Sequence, residues 1–201
     1  MIRKSTVLLL LCLCAACASK MNFVPFHERN GIVSDYERMQ RGKYIDWISV
    51  GSDFRKTAFP LYIVDIVYLG EGTAEIYDST YKKVDTRQLF GQYLANYLKH
   101  YGLFSDIRFG YPEAEDSKGF ILKGAIIQLQ TKRGYAQYVT GEEMSKTGMG
   151  VEMEITRIGD GTIEILAKEH EITTYKNTKG IKEAFDSVAR DIAKEIVRIL
   201  E

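Results

Sequence analysis

The sequence of 201 residues has little proline, little histidine and no cysteine beyond residue 17. Three prolines and 17 glycines exclude a collagenous or proline-rich chain. The three histidines, His27, His100 and His170, are widely scattered and lack the spacing of a metal site. Lys and Arg number 27, as do Asp and Glu, so the charge excess typical of a nucleic-acid-binding protein is missing. We therefore expect no cofactor, no metal and no nucleic-acid partner.

Aromatic and apolar residues are plentiful by contrast. The chain has 13 tyrosines and 9 phenylalanines, and 45% of its residues are hydrophobic. This composition is typical of a folded globular protein and argues against disorder. The length allows one domain of about 150 to 180 residues and leaves little for a second.

The first 16 residues have the pattern of a secretory signal. Arg3 and Lys4 precede an apolar run from Val7 to Leu13, and Ala15 and Ala16 end the segment. Counted with the residues up to Ala16, the apolar region is roughly 10 residues long and is too short to cross a hydrocarbon core that needs about 20. We therefore predict that residues 1–16 are removed from the mature protein.

Cys17 follows the two alanines directly, and this arrangement resembles the bacterial lipoprotein signal, in which the cysteine is acylated. Cys14 departs from that pattern, since a leucine is usual there. The alternative is an ordinary signal peptide that ends near a cysteine. Cys17 has no disulfide partner in the exported chain, which favours lipidation. The resemblance implies acyl chains such as palmitate at Cys17, and Ala18, where a retention signal would have Asp, favours the outer membrane.

The mature chain is predicted to have two parts. Residues 17–30 show no apolar periodicity and are interpreted as a lipid-attached tether. Residues 31–201 are interpreted as a single periplasmic domain. In that domain Ser34 and Glu37 have the spacing of a capping box, which predicts a short helix.

Two longer helices are predicted from apolar side chains at helical spacing. The first begins after Asp85 and ends at Gly102, and the second runs from Ile181 to the C-terminus. Strands are predicted over residues 47–50, 61–69, 107–109, 120–129, 151–158 and 162–175. The segment 61–68 is almost entirely apolar and is predicted to be a central strand.

The order of these elements predicts an α+β fold. Gly159-Asp160-Gly161 is typical of a hairpin turn between the last two strands. We expect a two-layer sandwich in which both helices pack on one face of a mostly antiparallel sheet. Alternation places Glu152 and Glu154 on a solvated face, and Lys168–Glu171 is interpreted as solvated too. The polar segment 141–150 is interpreted as a mobile loop or, alternatively, as the tip of a long hairpin.

Tyrosines near that loop are the candidate partner-binding residues. Tyr135 and Tyr138 precede it, and tyrosine is enriched at protein interfaces. Trp47 and Phe59 are expected to pack in the core. Apolar residues occur in both phases of residues 120–129, so the second sheet face is expected to be partly covered by another protein or a second copy. No serine elbow, phosphate loop or histidine pair is present, and we name no catalytic residue.

The segment Gly31–Met39 (Gly-Ile-Val-Ser-Asp-Tyr-Glu-Arg-Met) resembles a family of uncharacterised bacterial lipoproteins. That family has a Gly-apolar-apolar-x-Asp-Tyr segment shortly after the lipidated cysteine. The order of elements over residues 45–200 also resembles auxiliary lipoproteins of ABC transporters and lipoprotein activators of penicillin-binding proteins. This resemblance implies binding of partner proteins and no established activity.

The leading hypothesis is a non-catalytic, lipid-anchored periplasmic adaptor that binds an envelope protein complex. Its lipid at Cys17 would attach it to the periplasmic face of the outer membrane. An alternative is a structural lipoprotein that assembles with copies of itself through a sheet edge or the second face. A small-ligand carrier or a hydrolase is a further alternative, which requires a pocket with convergent polar groups.

Overall fold

A seven-stranded sheet is the centre of the computed structural model, which describes residues 31–70, 75–77, 83–133, 144–176 and 180–201. A 3₁₀ helix occupies Tyr36–Arg38, and the helices are α1 (Thr86–His100) and α2 (Gly180–Leu200). The strands are β1 (Gln40–Arg41), β2 (Trp47–Val50), β3 (Leu61–Tyr68), β4 (Glu75–Tyr77), β5 (Lys83–Asp85), β6 (Ile107–Phe109), β7 (Phe120–Arg133), β8 (Met144–Arg157) and β9 (Ile163–Lys176).

The strand order in the sheet is β1-β2-β9-β8-β7-β3-β6, and β4 with β5 forms a separate hairpin. Strand β3 is parallel to β6 and β7, whereas every other neighbouring pair is antiparallel. This topology confirms the predicted α+β fold with a mostly antiparallel sheet. The prediction that residues 61–68 form a central strand is wrong in one respect. Strand β3 is second from the edge, and β6 covers only its first three residues.

The two helices pack on one face of the sheet and supply a large share of the core. Helix α1 contacts β3, helix α2 contacts β8 and β9, and the helices contact each other. Asp85 caps α1 by accepting a hydrogen bond from the Arg87 amide at 2.9 Å, as the sequence predicts. Fully buried side chains such as Phe90, Leu94 and Phe185 face the sheet. The apolar stripes of both helices are therefore buried against the sheet, as their periodicity predicts.

The hairpin turn between β8 and β9 fixes the register in which these two strands pair. Gly159 and Gly161 have φ angles of 103° and 68°, which only glycine adopts easily. The antiparallel pairing then runs from Ile155 opposite Ile165 to Met144 opposite Lys176. The predicted turn is confirmed.

Strand β8 begins seven residues earlier than the sequence pattern predicts. The interpretation of residues 141–150 as a mobile loop is wrong for residues 144–150, which are part of β8, whereas residues 141–143 lie outside the described residues. Met149 is fully buried in the core opposite Leu129. Gly150 lies against Ile127, whose side chain would be 3.0 Å from an added Cβ. Glycine at this position fits a close approach of the Ile127 side chain, and it is not evidence of a loop.

A β-bulge in β7 explains its two apolar phases. The register with β8 shifts between Ile126 and Gln128. Ile126 and Leu129 therefore both face the helix-covered core, although three positions separate them. Ile127 alone is displaced to the opposite face, where it is also buried.

The described residues all belong to one compact unit, Gly31–Glu201. In the described part of the chain, no helix combines the length and the apolar character needed to cross a membrane.

Candidate functional site

The three residues that the sequence proposes for function lie outside the described residues. Cys17, the predicted lipid attachment site, belongs to the segment 1–30, and Tyr135 and Tyr138 belong to the segment 134–143. Their roles remain predictions. The structure instead brings together a set of charged and aromatic residues on the sheet face opposite the helices.

A buried ion pair forms the centre of this second face. Glu152 on β8 and Lys168 on β9 are direct partners in the sheet register. The Lys168 Nζ lies 2.6 Å from the Glu152 Oε1, and both side chains have 0% exposure. Removing two charges from water is costly, and the pair is tolerated only when further hydrogen bonds satisfy the carboxylate.

Those hydrogen bonds come from the N-terminal strap, which we define as residues 31–39. The amides of Ile32 and Val33 donate to the Glu152 Oε2 at 3.0 and 3.4 Å. Gly31 lies so close that an added Cβ would be 1.6 Å from the same oxygen. The strap is thus held by the carboxylate, and the carboxylate is shielded from water by the strap.

Tyr36 completes the environment of the ion pair. Its hydroxyl donates to the Glu152 Oε2 at 2.8 Å and accepts from the Gly31 amide at 3.0 Å. Its ring centroid lies 5.0 Å from the Lys168 Nζ, within the range of a cation–π contact. Burial, the hydrogen bond to Glu152 and the negative charge of that carboxylate raise the pKa of Tyr36 to about 12. The hydroxyl therefore keeps its proton and stays a donor.

The rest of the strap is fixed by a second carboxylate and by a small apolar cluster. The amide of Ser34 donates to the Glu154 Oε2 at 3.0 Å, and its hydroxyl donates to the same oxygen. Val33 and Met39 pack on Leu166 with the half-buried Trp47 and Ile163. The predicted capping box is wrong, because Ser34 bonds to the sheet and Asp35 caps the 3₁₀ helix by accepting from the Arg38 amide.

This arrangement corrects the expectation of a solvated second face. Glu152 and Lys168 are inaccessible to water, so the interpretation of these polar positions as solvated is wrong. The expected cover by another protein or a second copy is supplied around Glu152 by the chain's own strap. Since neither charged group can contact a substrate, the pair is suited to fastening the strap and not to proton transfer.

A second acidic group lies further along β9, beside α2. The Glu169 Oε2 accepts a hydrogen bond from the Asp46 amide at 2.6 Å. Burial raises the pKa of Glu169 to about 8, with smaller contributions from Asp46, Glu171 and Asp191. Burial also raises the pKa of Asp46 and lowers that of His170. Glu169 and His170, within the run Lys168–Glu171, are therefore half-buried, and their pKa values are shifted from the usual ones.

The described residues contain no group of three or more His, Cys, Asp or Glu side chains placed to hold a metal ion.

The described surface does carry an aromatic edge. Strand β6 forms one edge of the sheet, and Phe109 at its end is 59% exposed. Tyr111, two residues later, is 73% exposed. An edge strand with exposed aromatic side chains is suited to pairing with another chain.

The buried ion pair was not predicted from the sequence, although the spacing of its two residues around the hairpin turn indicates it. The turn centred on Asp160 pairs residues whose numbers are equidistant from it, as Ile155 and Ile165 are. Glu152 and Lys168 are also equally distant from Asp160, so the same rule places them opposite each other. Opposite charges directly across an antiparallel pair stabilise a sheet. No comparable signal connects Tyr36 to them, because that contact spans 116 positions.

The chain has an α+β fold with two helices on one face of a mostly antiparallel sheet. The sequence matches no established protein-family model and no curated protein. Among solved structures, the PelC dodecamer from Paraburkholderia phytofirmans matches with a TM-score of 0.52 and 16% identity, over 72% of this chain and 92% of that chain. At this identity the likeness shows the fold alone.

Two lipoproteins match with lower scores. Lipoprotein GNA1162 from Neisseria meningitidis has a TM-score of 0.41 and 10% identity, over 68% of this chain and 99% of that chain. A minor lipoprotein from Acinetobacter baumannii has a TM-score of 0.34 and 13% identity, over 67% of this chain and 93% of that chain. With TM-scores this low, neither likeness bears on function.

Proposed function

We propose that this chain is a lipid-anchored, non-catalytic accessory protein of the bacterial cell envelope that acts by binding an envelope protein complex. The aromatic edge at β6 carries the proposal, because Phe109 and Tyr111 present two exposed rings beside an open strand. Interfaces are enriched in aromatic side chains, and an edge strand leaves backbone groups available for pairing. The charged pair of the second face supports a structural role, since it is closed to substrates.

Lipid at Cys17 is the second part of the proposal. The sequence pattern supports it, and acyl chains would hold the protein on the periplasmic face of the outer membrane. Cys17→Ser should move the protein from the membrane fraction to the soluble fraction after a high-salt wash. If the variant stayed membrane-bound, lipid anchorage at Cys17 would be excluded.

Partner binding is tested by cross-linking and affinity purification from detergent-solubilised envelopes at native expression. The wild-type chain should recover a reproducible partner, and Tyr111→Asp should lose it, because a charge at the edge opposes burial. Leu69→Asp is the matched control, since Leu69 is also an exposed apolar residue but lies beyond the end of β3. Equal recovery by wild type and Tyr111→Asp would refute the role of the edge, and no partner at all would refute the adaptor.

Self-assembly is a second candidate, favoured by the fold that this chain shares with the dodecameric PelC. The two edges of the sheet, β1 and β6, are different surfaces. A contact between β6 of one copy and β1 of the next is heterologous, and repetition of such a contact forms a ring or a filament. Sedimentation of the full chain in detergent distinguishes the candidates, because the adaptor should sediment as a monomer or small dimer. A large assembly that Tyr111→Asp dissociates would favour self-assembly.

A further inference from the structure

A cavity of about 380 Å³ opens at the end of the sheet where β2 and β8 end and β7 begins. Its walls are residues 53–57, Phe59, residues 117–120 and residues 157–158. We propose that this cavity is a binding site for the phosphate group of a small phosphate ester. The site lies apart from the β6 edge and from the buried ion pair, and it adds ligand binding to the proposed accessory role.

The walls of the cavity are held in place by backbone hydrogen bonds. The Phe54 amide donates to the Gly51 carbonyl at 3.0 Å, and the Thr57 amide donates to the Leu103 carbonyl at 3.1 Å. On the other side, the Ile158 amide donates to the Gly119 carbonyl at 2.9 Å. Both loops are thereby fixed to the sheet and to the end of α1. The cavity is therefore formed before any ligand arrives, which lowers the entropic cost of binding.

The floor of the cavity is aromatic. Phe54 and Phe120 line it, and their ring centroids lie 5.7 Å apart in an edge-to-face arrangement. Phe104 packs on both of them from the core side. Phe59, expected from the sequence to be a core residue, is instead 45% exposed at the rim. Such a rim offers an apolar surface to the carbon skeleton of a ligand.

Three cationic side chains line the cavity without a carboxylate partner. Within the described ranges, Arg55, Lys56 and Lys118 form no ion pair. The Arg55 Nη1 donates at 2.7 Å to the carbonyls of Ser52 and Phe54, which fixes the guanidinium and leaves its charge uncompensated. The Lys118 Nζ lies 5.9 Å from the centroid of the Phe59 ring. A set of cations around one apolar floor is a binding site for an anion.

The charges of the other lining residues limit the class of anion. Arg157 lines the cavity too, but it pairs with Glu164 and Asp160, so its charge is compensated. Asp53 is the acidic residue of the lining. Four cations, with Arg157 included, stand against Asp53, Asp160 and Glu164, which leaves an excess of one positive charge and favours an anionic ligand. Arg55, Lys56 and Lys118 are three donor groups without a carboxylate partner, which suits the several oxygens of a phosphate. The volume suits a headgroup and not a polymer, since ligand pockets run from about 300 to 1,000 Å³.

Two probes distinguish a soluble phosphate ester from a phospholipid headgroup. The full chain in detergent micelles is titrated with glycerol 3-phosphate by calorimetry, and separately with mixed micelles that contain phosphatidic acid or, as a control, phosphatidylcholine. Acetylation of lysines, quantified by mass spectrometry, reports the site. Lys56 and Lys118 should become protected by the bound phosphate, whereas the exposed Lys123 on β7 should not.

The variant Lys56→Gln with Lys118→Gln should bind about tenfold more weakly, because two charge-assisted contacts are lost. Lys123→Gln is the matched control and should bind as wild type does. Protection by phosphatidic acid alone would assign the site to a lipid headgroup, and protection by both probes would assign it to phosphate esters in general. Binding of neither probe, or equal affinity of the double variant, would overturn the proposal. The lysine protection in wild type keeps the test valid if the double variant fails to fold.

Discussion

The two faces of the sheet are built from the same strands but are covered in different ways. On the helix side, Val151, Met153 and Ile155 are buried by the apolar stripes of α1 and α2. On the other side, Glu152 and Glu154 of the same strand are covered by the N-terminal strap. The first face is closed by non-directional apolar contact, and the second by hydrogen bonds at fixed positions. A polar phase along a strand therefore does not establish exposure to water.

The two faces of the sheet also differ in the source of their stability. Apolar burial is worth about 25 cal/mol per Å² and tolerates small shifts in position. A buried ion pair has a large desolvation cost and is maintained only while every partner is present. We therefore expect the helix side to respond to the loss of volume, and the strap side to respond to the loss of any one partner.

The largest effect is expected for Lys168→Met, which leaves the Glu152 charge buried without its cation. The free energy of unfolding should fall by about 3–5 kcal/mol in a urea titration. Adding Glu152→Leu should restore only part of the loss, because it removes the uncompensated charge but also the acceptor of the Ile32, Val33 and Tyr36 hydrogen bonds. Equal stability of the single and double variants would contradict the importance of the uncompensated charge.

On the helix side, Leu94→Ala should lower the free energy of unfolding by about 3 kcal/mol through the cavity that it leaves. Leu94 is fully buried in the core between α1 and the sheet. Asn96→Ala, an exposed substitution on the same helix, is the matched control and should be close to wild type. A loss no greater than that of Asn96→Ala would mean that this face is not packed as described.

Gly31→Ala should have an intermediate effect that is confined to the strap. The added Cβ would lie 1.6 Å from the Glu152 Oε2, so the strap must shift and its hydrogen bonds must weaken. A loss of about 1–2 kcal/mol is expected, with faster hydrogen exchange at the Ile32 amide and no change in the helices. The exposed Glu37→Ala is the control. Unchanged exchange at Ile32 would contradict the contact.

The last prediction concerns pH. The pKa of Glu169 is raised from its usual 4.5 to about 8 in the folded chain, so the folded state keeps this proton over a range where the unfolded state releases it. Its contribution to stability is therefore fully present below pH 4.5 and is lost as the pH rises to about 8. Glu169→Gln should show a weaker decline across that window in urea titrations at several pH values. The exposed Glu37→Gln is the control, and an identical decline in Glu169→Gln and wild type would refute the assignment.

The architecture was predictable where local pattern and burial agree. The apolar stripe of α2 begins at Ile181, one residue after the observed start, and Asp85 caps α1 as its spacing indicates. The strands over residues 47–50 and 107–109 match their predicted limits. Each of these elements is specified by side chains close together in sequence, and periodicity is a local signal.

The second face was not predictable because its contacts join distant parts of the chain. Ser34 has the local features of a helix cap. In the folded chain, however, its amide donates to Glu154, which is 120 positions away. Gly150 has the local features of a loop, and its close contact with the Ile127 side chain becomes visible only in the folded sheet. Phe59 is apolar and was expected in the core, yet it lies on the rim of the cavity and is exposed.

The attachment of the strap has a mechanical consequence. A pull on the chain at Gly31 acts first on its hydrogen bond to the Tyr36 hydroxyl and on those of Ile32 and Val33 to Glu152, before any strand is loaded. Because Glu152 and Lys168 join the two strands of one hairpin, the load passes across β8 and β9 and not along a single strand. Force at the N-terminal end is therefore shared by the middle of the sheet, which is its most heavily hydrogen-bonded part.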